Sequence, residues 1–104
     1  MGYILVRTDK FDEELFDIIY YIAASSHSKE IALNYLSEIE QATETLKTFP
    51  LAGIVPKNRI LSRLGFRALV VAKHHMVFYK INVNQEVVLY HIVDTRRNYI
   101  KLVR

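Results

Sequence analysis

The sequence predicts an α+β fold, in which an N-terminal strand and an antiparallel helical hairpin pack on one face of a small antiparallel β-sheet, with a short C-terminal helix. Apolar residues recur at helical spacing through the first half, whereas β-branched and aromatic residues form short runs through the second half. The period changes at a loop containing Pro50, Gly53 and Pro56. A chain of 104 residues has room for a single core, so we expect residues 1–104 to form one domain.

The first half is predicted to be a strand over residues 3–7 followed by two helices. Thr8 or Asp9 is suited to cap the first helix, and Ser28 the second. Pro50 is expected to stop the second helix. The apolar stripe of the first helix is Phe11, Leu15, Ile18, Ile19 and Ile22. The seam of the second is Ile31, Tyr35, Ile39, Ala42, Leu46 and Phe49. Two such stripes indicate antiparallel helices that pack against each other.

Three strands are predicted over residues 66–72, 75–81 and 87–93, forming an antiparallel meander. The turn between the first two is expected at Lys73-His74, and residues 82–85 form a polar turn. A tail helix is predicted over residues 97–103.

A two-residue turn at Lys73-His74 fixes which residues share a face of the sheet. The face predicted to lie under the helices contains Ala68, Val70, Val77, Tyr79, Val88, Tyr90 and Ile92. The opposite face contains Arg67, Leu69, Val71, Met76, Phe78, Lys80, Leu89 and His91. Because two helices cover only one face, we expect the second to be an accessible binding surface, apolar at its centre and rimmed by Arg67, Lys80 and His91. A slip of one residue would exchange the faces.

Charge is divided unequally along the chain. Residues 1–52 carry four Lys or Arg and nine Asp or Glu, whereas residues 53–104 carry ten and two, respectively. The basic half is expected to attract a polyanion or an acidic protein segment. The absence of cysteine excludes disulfides and thiolate chemistry. Four histidines with few nearby carboxylates predict no metal site, and no cofactor motif is present. Without a signal-peptide pattern or a membrane-length apolar run, we expect a cytoplasmic protein.

Three groups of residues are candidates for chemistry. Lys57, Arg59 and Arg63, with Arg67, either bind phosphates or an acidic peptide, or form a solvated basic rim. His74 and His75 either act as acid or base or simply occupy a turn, and the turn is favoured because adjacent strand residues face opposite ways. Residues 94–99 carry Arg96, Arg97 and Tyr99, which suit phosphate binding; alternatively, Asp94 caps the tail helix and pairs with Arg97 while Tyr99 packs.

In the order of its elements and in several segments, the chain resembles the RelE/ParE superfamily of type II toxin–antitoxin toxins. These segments are RTDKFD (7–12), FPLAG (49–53), LGFRALVV (64–71), MVFY (76–79) and YHIVDTRRNY (90–99). The resemblance covers nearly all of the sequence. It implies a helical hairpin packed on an antiparallel sheet, and a cognate antitoxin whose extended, often acidic tail wraps the toxin. It also implies growth inhibition and a role in plasmid stabilisation.

The superfamily contains ribosome-dependent mRNA endonucleases and inhibitors of DNA gyrase. In the endonuclease branch, the resemblance implies that Arg67 and Arg97, or Arg96, stabilise the phosphate, with His75 or Tyr99 as acid or base. This sequence departs from that pattern, because Leu69 stands where a second lysine is expected and Met76 where an arginine is expected. Apolar groups cannot stabilise charge that develops at phosphorus. The sequence therefore favours gyrase inhibition slightly over mRNA cleavage, with Leu69, Met76 and Phe78 as a protein-binding face. A non-toxic nucleic-acid-binding module is the least favoured alternative.

Overall fold

A computed structural model describes residues 2–96 and contains, within them, a four-stranded mixed sheet and three α-helices. The strands are β1 (Ile4–Arg7), β2 (Arg67–Val71), β3 (His75–Ile81) and β4 (Glu86–Asp94). The helices are α1 (Asp9–Ser26), α2 (Lys29–Glu44) and α3 (Arg59–Arg63). The strand order is β1-β4-β3-β2, with β1 parallel to β4 and the other pairs antiparallel. The predicted α+β architecture is confirmed, whereas the predicted tail helix lies outside the described residues. None of the helices in residues 2–96 has the length and apolar character needed to cross a membrane.

Side-chain caps set the beginnings of the two long helices. The Thr8 hydroxyl accepts a hydrogen bond from the Phe11 amide at 3.0 Å, and the Ser28 hydroxyl accepts one from Ile31 at 3.2 Å. His27, with φ of 56°, ends α1 in the left-handed conformation. α2 ends at Glu44 and continues as a single 3-10 turn, Thr45–Lys47, so Pro50 follows the end of the helix rather than causing it.

The main core lies between the helical hairpin and one face of the sheet. Its buried members are Phe11, Leu15, Ile39, Leu46, Val71, Val77, Tyr79, Val87, Leu89 and Ile92. The predicted stripes of both helices supply most of the helical side of this core. Two residues of the predicted seam do not: Ile31 and Phe49 are exposed. Phe49 lies beyond the end of α2, where the helical period no longer determines which way a side chain points.

The predicted register of β2 against β3 is wrong by one residue. Val71 pairs with His75 and Ala68 with Phe78, so the connection spans three residues, 72–74, rather than two. Ala72 adopts a left-handed conformation with φ of 49°. Alanine rarely adopts this conformation, so the residue type does not predict it. This shift of one residue moves each side chain of β2 to the face of the sheet opposite the predicted one, and it affects β2 alone. Leu69 therefore packs with the helices, Ala68 lies on the opposite face, and the predicted faces of β3 are correct.

A bulge changes the faces of β4 partway along the strand. Phe78 pairs with His91 and Tyr79 pairs with Leu89, which leaves Tyr90 as the extra residue. Leu89 and Ile92 therefore both lie under the helices, while Tyr90 packs on the second face. The prediction placed Ile92 on the correct face of the sheet but placed Leu89 and Tyr90 each on the wrong face, because a regular two-residue alternation cannot anticipate a bulge.

The expectation of an uncovered second face is wrong. A short helix that the sequence did not predict, α3, packs its buried Leu61 there with Phe66, Ala68, Phe78 and Val93. Phe78 is fully buried, with 0% of its surface exposed. Met76 and Tyr90 are partly buried against this second cluster, and Val70 is the large apolar residue of β2 that stays exposed.

Candidate functional site

Four polar side chains come together where β3 begins and β4 ends. His75 is the first residue of β3 and lies opposite Asp94, the last residue of β4. Tyr35 reaches this point from α2, and its hydroxyl lies 2.6 Å from the Nδ1 atom of His75. The two rings meet edge to face, with centroids 5.5 Å apart. Arg96 lies two residues after Asp94, just beyond the end of the strand. These residues, Tyr35, His75, Asp94 and Arg96, are called the polar cluster below.

Arg96 and Asp94 form a two-pronged ion pair. The Arg96 Nε and Nη2 atoms donate to the two carboxylate oxygens at 3.0 and 2.7 Å, and the Arg96 amide donates to Oδ1 at 2.9 Å. The hydrogen bond from the Arg96 side chain, followed by that from its amide, holds the pKa of Asp94 well below its usual range. Asp94 is therefore ionised at neutral pH, and it offsets the positive charge of Arg96.

Burial sets the protonation states of the other two members of the polar cluster. It lowers the pKa of His75, which is 9% exposed, and the opposing attraction of Asp94 is smaller. It also raises the pKa of Tyr35, and the nearby charges of Glu38 and Asp94 add to the effect. At neutral pH, His75 is thus neutral and Tyr35 keeps its proton. A neutral imidazole hydrogen-bonded to a phenol can exchange a proton with a substrate, which is the chemical capacity of this cluster.

Arg67, the first basic residue implied by the family resemblance, lies away from the polar cluster. It is opposite Tyr79, whereas His75 is opposite Val71. Arg67 and Val71 are four steps apart along the strand, or about 13 Å at ~3.3 Å per residue. The Arg67 Nη2 atom donates to the carbonyls of Gly53 at 2.8 Å and Leu51 at 3.3 Å. This guanidinium holds the loop that precedes α3, while its Nε atom is buried without a hydrogen-bond partner among the described residues.

The other predicted rim residues are also engaged within the protein. The Nζ atom of Lys80 lies 4.6 Å from the ring centroid of Phe66 and 5.2 Å from that of Tyr90. His91 faces Glu14 of α1, with Nδ1 3.2 and 3.3 Å from its two carboxylate oxygens. The prediction that His91 lies on an open rim is therefore wrong, because only 15% of its side chain is exposed beside Glu14.

The predicted partner-binding residues thus separate into different places. Leu69 lies under the helical hairpin, Phe78 is enclosed beneath α3, and Met76 remains partly accessible. The basic residues Lys57, Arg59 and Arg63 are all exposed on and beside α3. Arg97 and Tyr99 lie outside the described residues. Within residues 2–96, no group of three or more histidine or acidic side chains is placed to hold a metal ion.

Sequence reasoning missed the contact between Tyr35 and His75, because it treated Tyr35 as a half-buried seam residue. A phenol within an apolar helical seam needs a hydrogen-bond partner when it is buried. The sequence contains that signal but does not identify the partner, which is 40 residues away.

Comparisons with known proteins agree with this architecture. Among solved structures, a toxin–antitoxin chain described as the chromosomal ParDE system of P. aeruginosa is similar, with a TM-score of 0.73 and 18% identity over 88% of this chain and 95% of that one. A chain of the RelBE2 toxin–antitoxin complex from Mycobacterium tuberculosis has a TM-score of 0.61 and 18% identity, over 90% and 99% of the two chains. A search of curated proteins gave no significant match. The family model for the ParE toxin of type II toxin–antitoxin systems (parDE) matches residues 5–99. The chain therefore belongs to the ParE toxin family.

Proposed function

We propose that this protein is a growth-inhibiting toxin, neutralised by a cognate antitoxin, that acts by inhibiting DNA gyrase without cleaving nucleic acid. One observation carries the choice of mechanism: within residues 2–96, the two basic residues that the resemblance implies for a nuclease, Arg67 and Arg96, do not converge. Arg67 lies about 13 Å along β2 from Val71, which is the β2 residue opposite His75. Its guanidinium donates to two loop carbonyls. Arg96 is paired with Asp94.

Phosphate cleavage depends on positive groups fixed around the charge that develops at phosphorus. Among the described residues, the polar cluster holds one cation, Arg96, and Asp94 offsets its charge. On the second face, Phe78 is buried beneath α3 and Met76 is partly buried there, so neither position supplies a cation. The small net charge of the polar cluster supports a protein target rather than an RNA phosphate. The toxin would act in the cytoplasm, where gyrase is found, and would serve to retain the plasmid or other genetic element that encodes the pair.

Ribosome-dependent mRNA cleavage, as in the RelE branch, is the second candidate. The observation that favours it is the hydrogen bond between Tyr35 and His75. A neutral histidine can accept the proton of an RNA 2′-hydroxyl, and general acid–base catalysis of this kind contributes about 10²- to 10⁴-fold in rate. In this mechanism Arg96, together with Arg97 and Tyr99, would assist at the phosphate.

The two candidates are separated by following two readouts after induced expression without antitoxin. Gyrase inhibition predicts loss of DNA supercoiling activity in a purified assay, with cellular mRNA intact. The RelE-like mechanism predicts cuts within translated mRNA and normal supercoiling. Normal growth after induction would overturn both candidates.

Substitutions in the polar cluster sharpen this comparison. Under gyrase inhibition, His75→Gln and Tyr35→Phe should leave growth arrest intact, provided that thermal melts show a folded protein. Under the nuclease mechanism, His75→Gln should lower the cleavage rate by about 10²-fold or more. Lys10→Gln, on the exposed surface of α1, is a matched control that removes a charge outside the polar cluster.

A further inference from the structure

The loop over residues 49–55, called the apolar loop below, presents large apolar side chains to solvent. Phe49, Leu51, Ile54 and Val55 are 65%, 66%, 65% and 53% exposed, respectively. Single exposed apolar residues are common on protein surfaces, but four within seven residues of one loop are a concentration of the kind that marks interaction sites.

The backbone of the apolar loop is nevertheless held firmly from below. The buried Tyr79 hydroxyl donates to the Pro50 carbonyl at 2.8 Å and accepts from the Gly53 amide at 3.0 Å. Arg67 donates to the carbonyls of Leu51 and Gly53. Ile54 exchanges two hydrogen bonds of 2.8 Å with Ala68 of β2.

Gly53 also fits a space that admits no side chain. A Cβ atom there would lie 2.6 Å from the Ala68 carbonyl oxygen and 2.7 Å from the Tyr79 hydroxyl. The loop is therefore packed closely against the sheet. Because its backbone is already ordered, a partner that covers the four apolar side chains pays little additional entropy for ordering the loop.

The surroundings of the apolar loop are basic. Between Glu44 and Glu86 the sequence contains seven Lys or Arg residues and no Asp or Glu. Lys57, Arg59 and Arg63 are exposed on or beside α3, which follows the loop. Ile60 and Leu64 are exposed on the same short helix and its end, and they extend the apolar surface. The combined surface thus joins apolar side chains to uncompensated positive charge.

We propose that the apolar loop and α3 together form the docking surface for an amphipathic segment of the antitoxin, one in which apolar side chains alternate with Asp or Glu. The apolar side chains of that segment cover the loop, and its carboxylates pair with Lys57, Arg59 and Arg63. Nucleic acid fits this surface less well, because a phosphate backbone gains nothing from four apolar side chains. This inference rests on the proposed function in so far as it assumes a cognate antitoxin.

The test measures the dissociation constant between the full-length toxin and the purified product of the small open reading frame adjoining its gene. Leu51→Ser and Ile54→Ser should each weaken binding by about 10- to 100-fold, as truncation of central interface residues does. Val83→Ser is the matched control, because Val83 is 98% exposed in the β3–β4 turn, and its dissociation constant should not change. Arg59→Glu should weaken binding more at low salt than at high salt. Wild-type affinity in both loop variants would overturn the proposal.

Growth assays separate this inference from the proposed function. Loop variants that still arrest growth but escape neutralisation by the antitoxin support the docking surface. Loop variants that lose toxicity while binding the antitoxin normally would overturn it and assign the surface to the toxin's target. A change of oligomeric state in the variants, with unchanged antitoxin affinity, would overturn it in favour of contact between two copies. If the wild type does not arrest growth but the loop variants lose antitoxin binding, the docking surface stands and the proposed function fails.

Discussion

Tyr35 and His75 connect the helical hairpin to the sheet through a hydrogen bond of 2.6 Å between the phenol oxygen and Nδ1. The contact joins the middle of α2 to the first residue of β3. It lies at the end of the main core, where apolar packing gives way to the Asp94–Arg96 ion pair. The hydrogen bond therefore satisfies two polar groups at the edge of the apolar core and contributes to stability.

Removal of the Tyr35 hydroxyl should destabilise the protein modestly. Tyr35→Phe keeps the ring but leaves Nδ1 of His75 without its partner, so the free energy of unfolding should fall by about 1 kcal/mol. Equilibrium urea denaturation measures this. Tyr20→Phe, at an exposed tyrosine on α1, is the control and should change stability little. Equal effects from the two substitutions would argue against a stabilising role for the hydrogen bond.

Acidification should destabilise the protein through His75. Burial holds the pKa of His75 below its ordinary value, whereas in the unfolded chain it titrates near 6.5. The unfolded state then binds more protons than the folded state below that pH, so stability falls as the pH drops from about 7 to about 5.5. Urea denaturation at the two pH values should show a larger loss for the wild type than for His75→Gln. An identical loss in both proteins would contradict the prediction.

Arg96 should control the titration of Asp94. The hydrogen bonds from Arg96 depress the pKa of Asp94, so this carboxylate contributes stability above its unfolded pKa of about 3.9, and the contribution is lost as the pH falls further. Arg96→Ala removes the side-chain donors and should raise the pKa of Asp94. NMR titration of the carboxyl carbon measures the change. Arg63→Ala, at an exposed arginine on α3, should leave that pKa where it is.

A methyl group at position 53 should strain the loop anchored by Tyr79. In Gly53→Ala the new Cβ atom would lie within 2.8 Å of the Ala68 carbonyl oxygen and of two Tyr79 atoms. The loop backbone, the Ala68 carbonyl or the Tyr79 ring must therefore shift. Overpacking of this kind costs about 1–3 kcal/mol. Gly2→Ala is the control, because its Cβ atom meets only the Lys47 carbonyl at 3.4 Å. Thermal unfolding compares the two variants, and similar melting temperatures would show that the loop can relax.

Local signals in the sequence predicted the helices well. The caps at Thr8 and Ser28 follow from short-range side-chain chemistry, and the stripes of both helices follow from their period. The faces of the sheet were less predictable. Two local events, the left-handed Ala72 and the extra residue Tyr90, each shift the alternation by one position.

The candidate site depends on contacts that no local pattern encodes. Tyr35 meets His75 across 40 residues, and Arg67 donates to carbonyls 14 and 16 residues earlier in the chain. The sequence also gave no sign that α3, a helix of five residues, would cover the second face. Residue type marked His75 and Arg67 as candidates, but only the tertiary fold determines what each side chain contacts.

The parallel pairing of β1 with β4 has a consequence for biosynthesis. Ile4 pairs with Glu86 and Arg7 with Leu89, so the first strand acquires its only neighbour in the described sheet after the last strand has been translated. Contacts between such distant segments form slowly, because a long loop must close first. A nascent chain on the ribosome therefore cannot complete the sheet until β4 has emerged, so β1 stays unpaired while the segments between the two strands are being made.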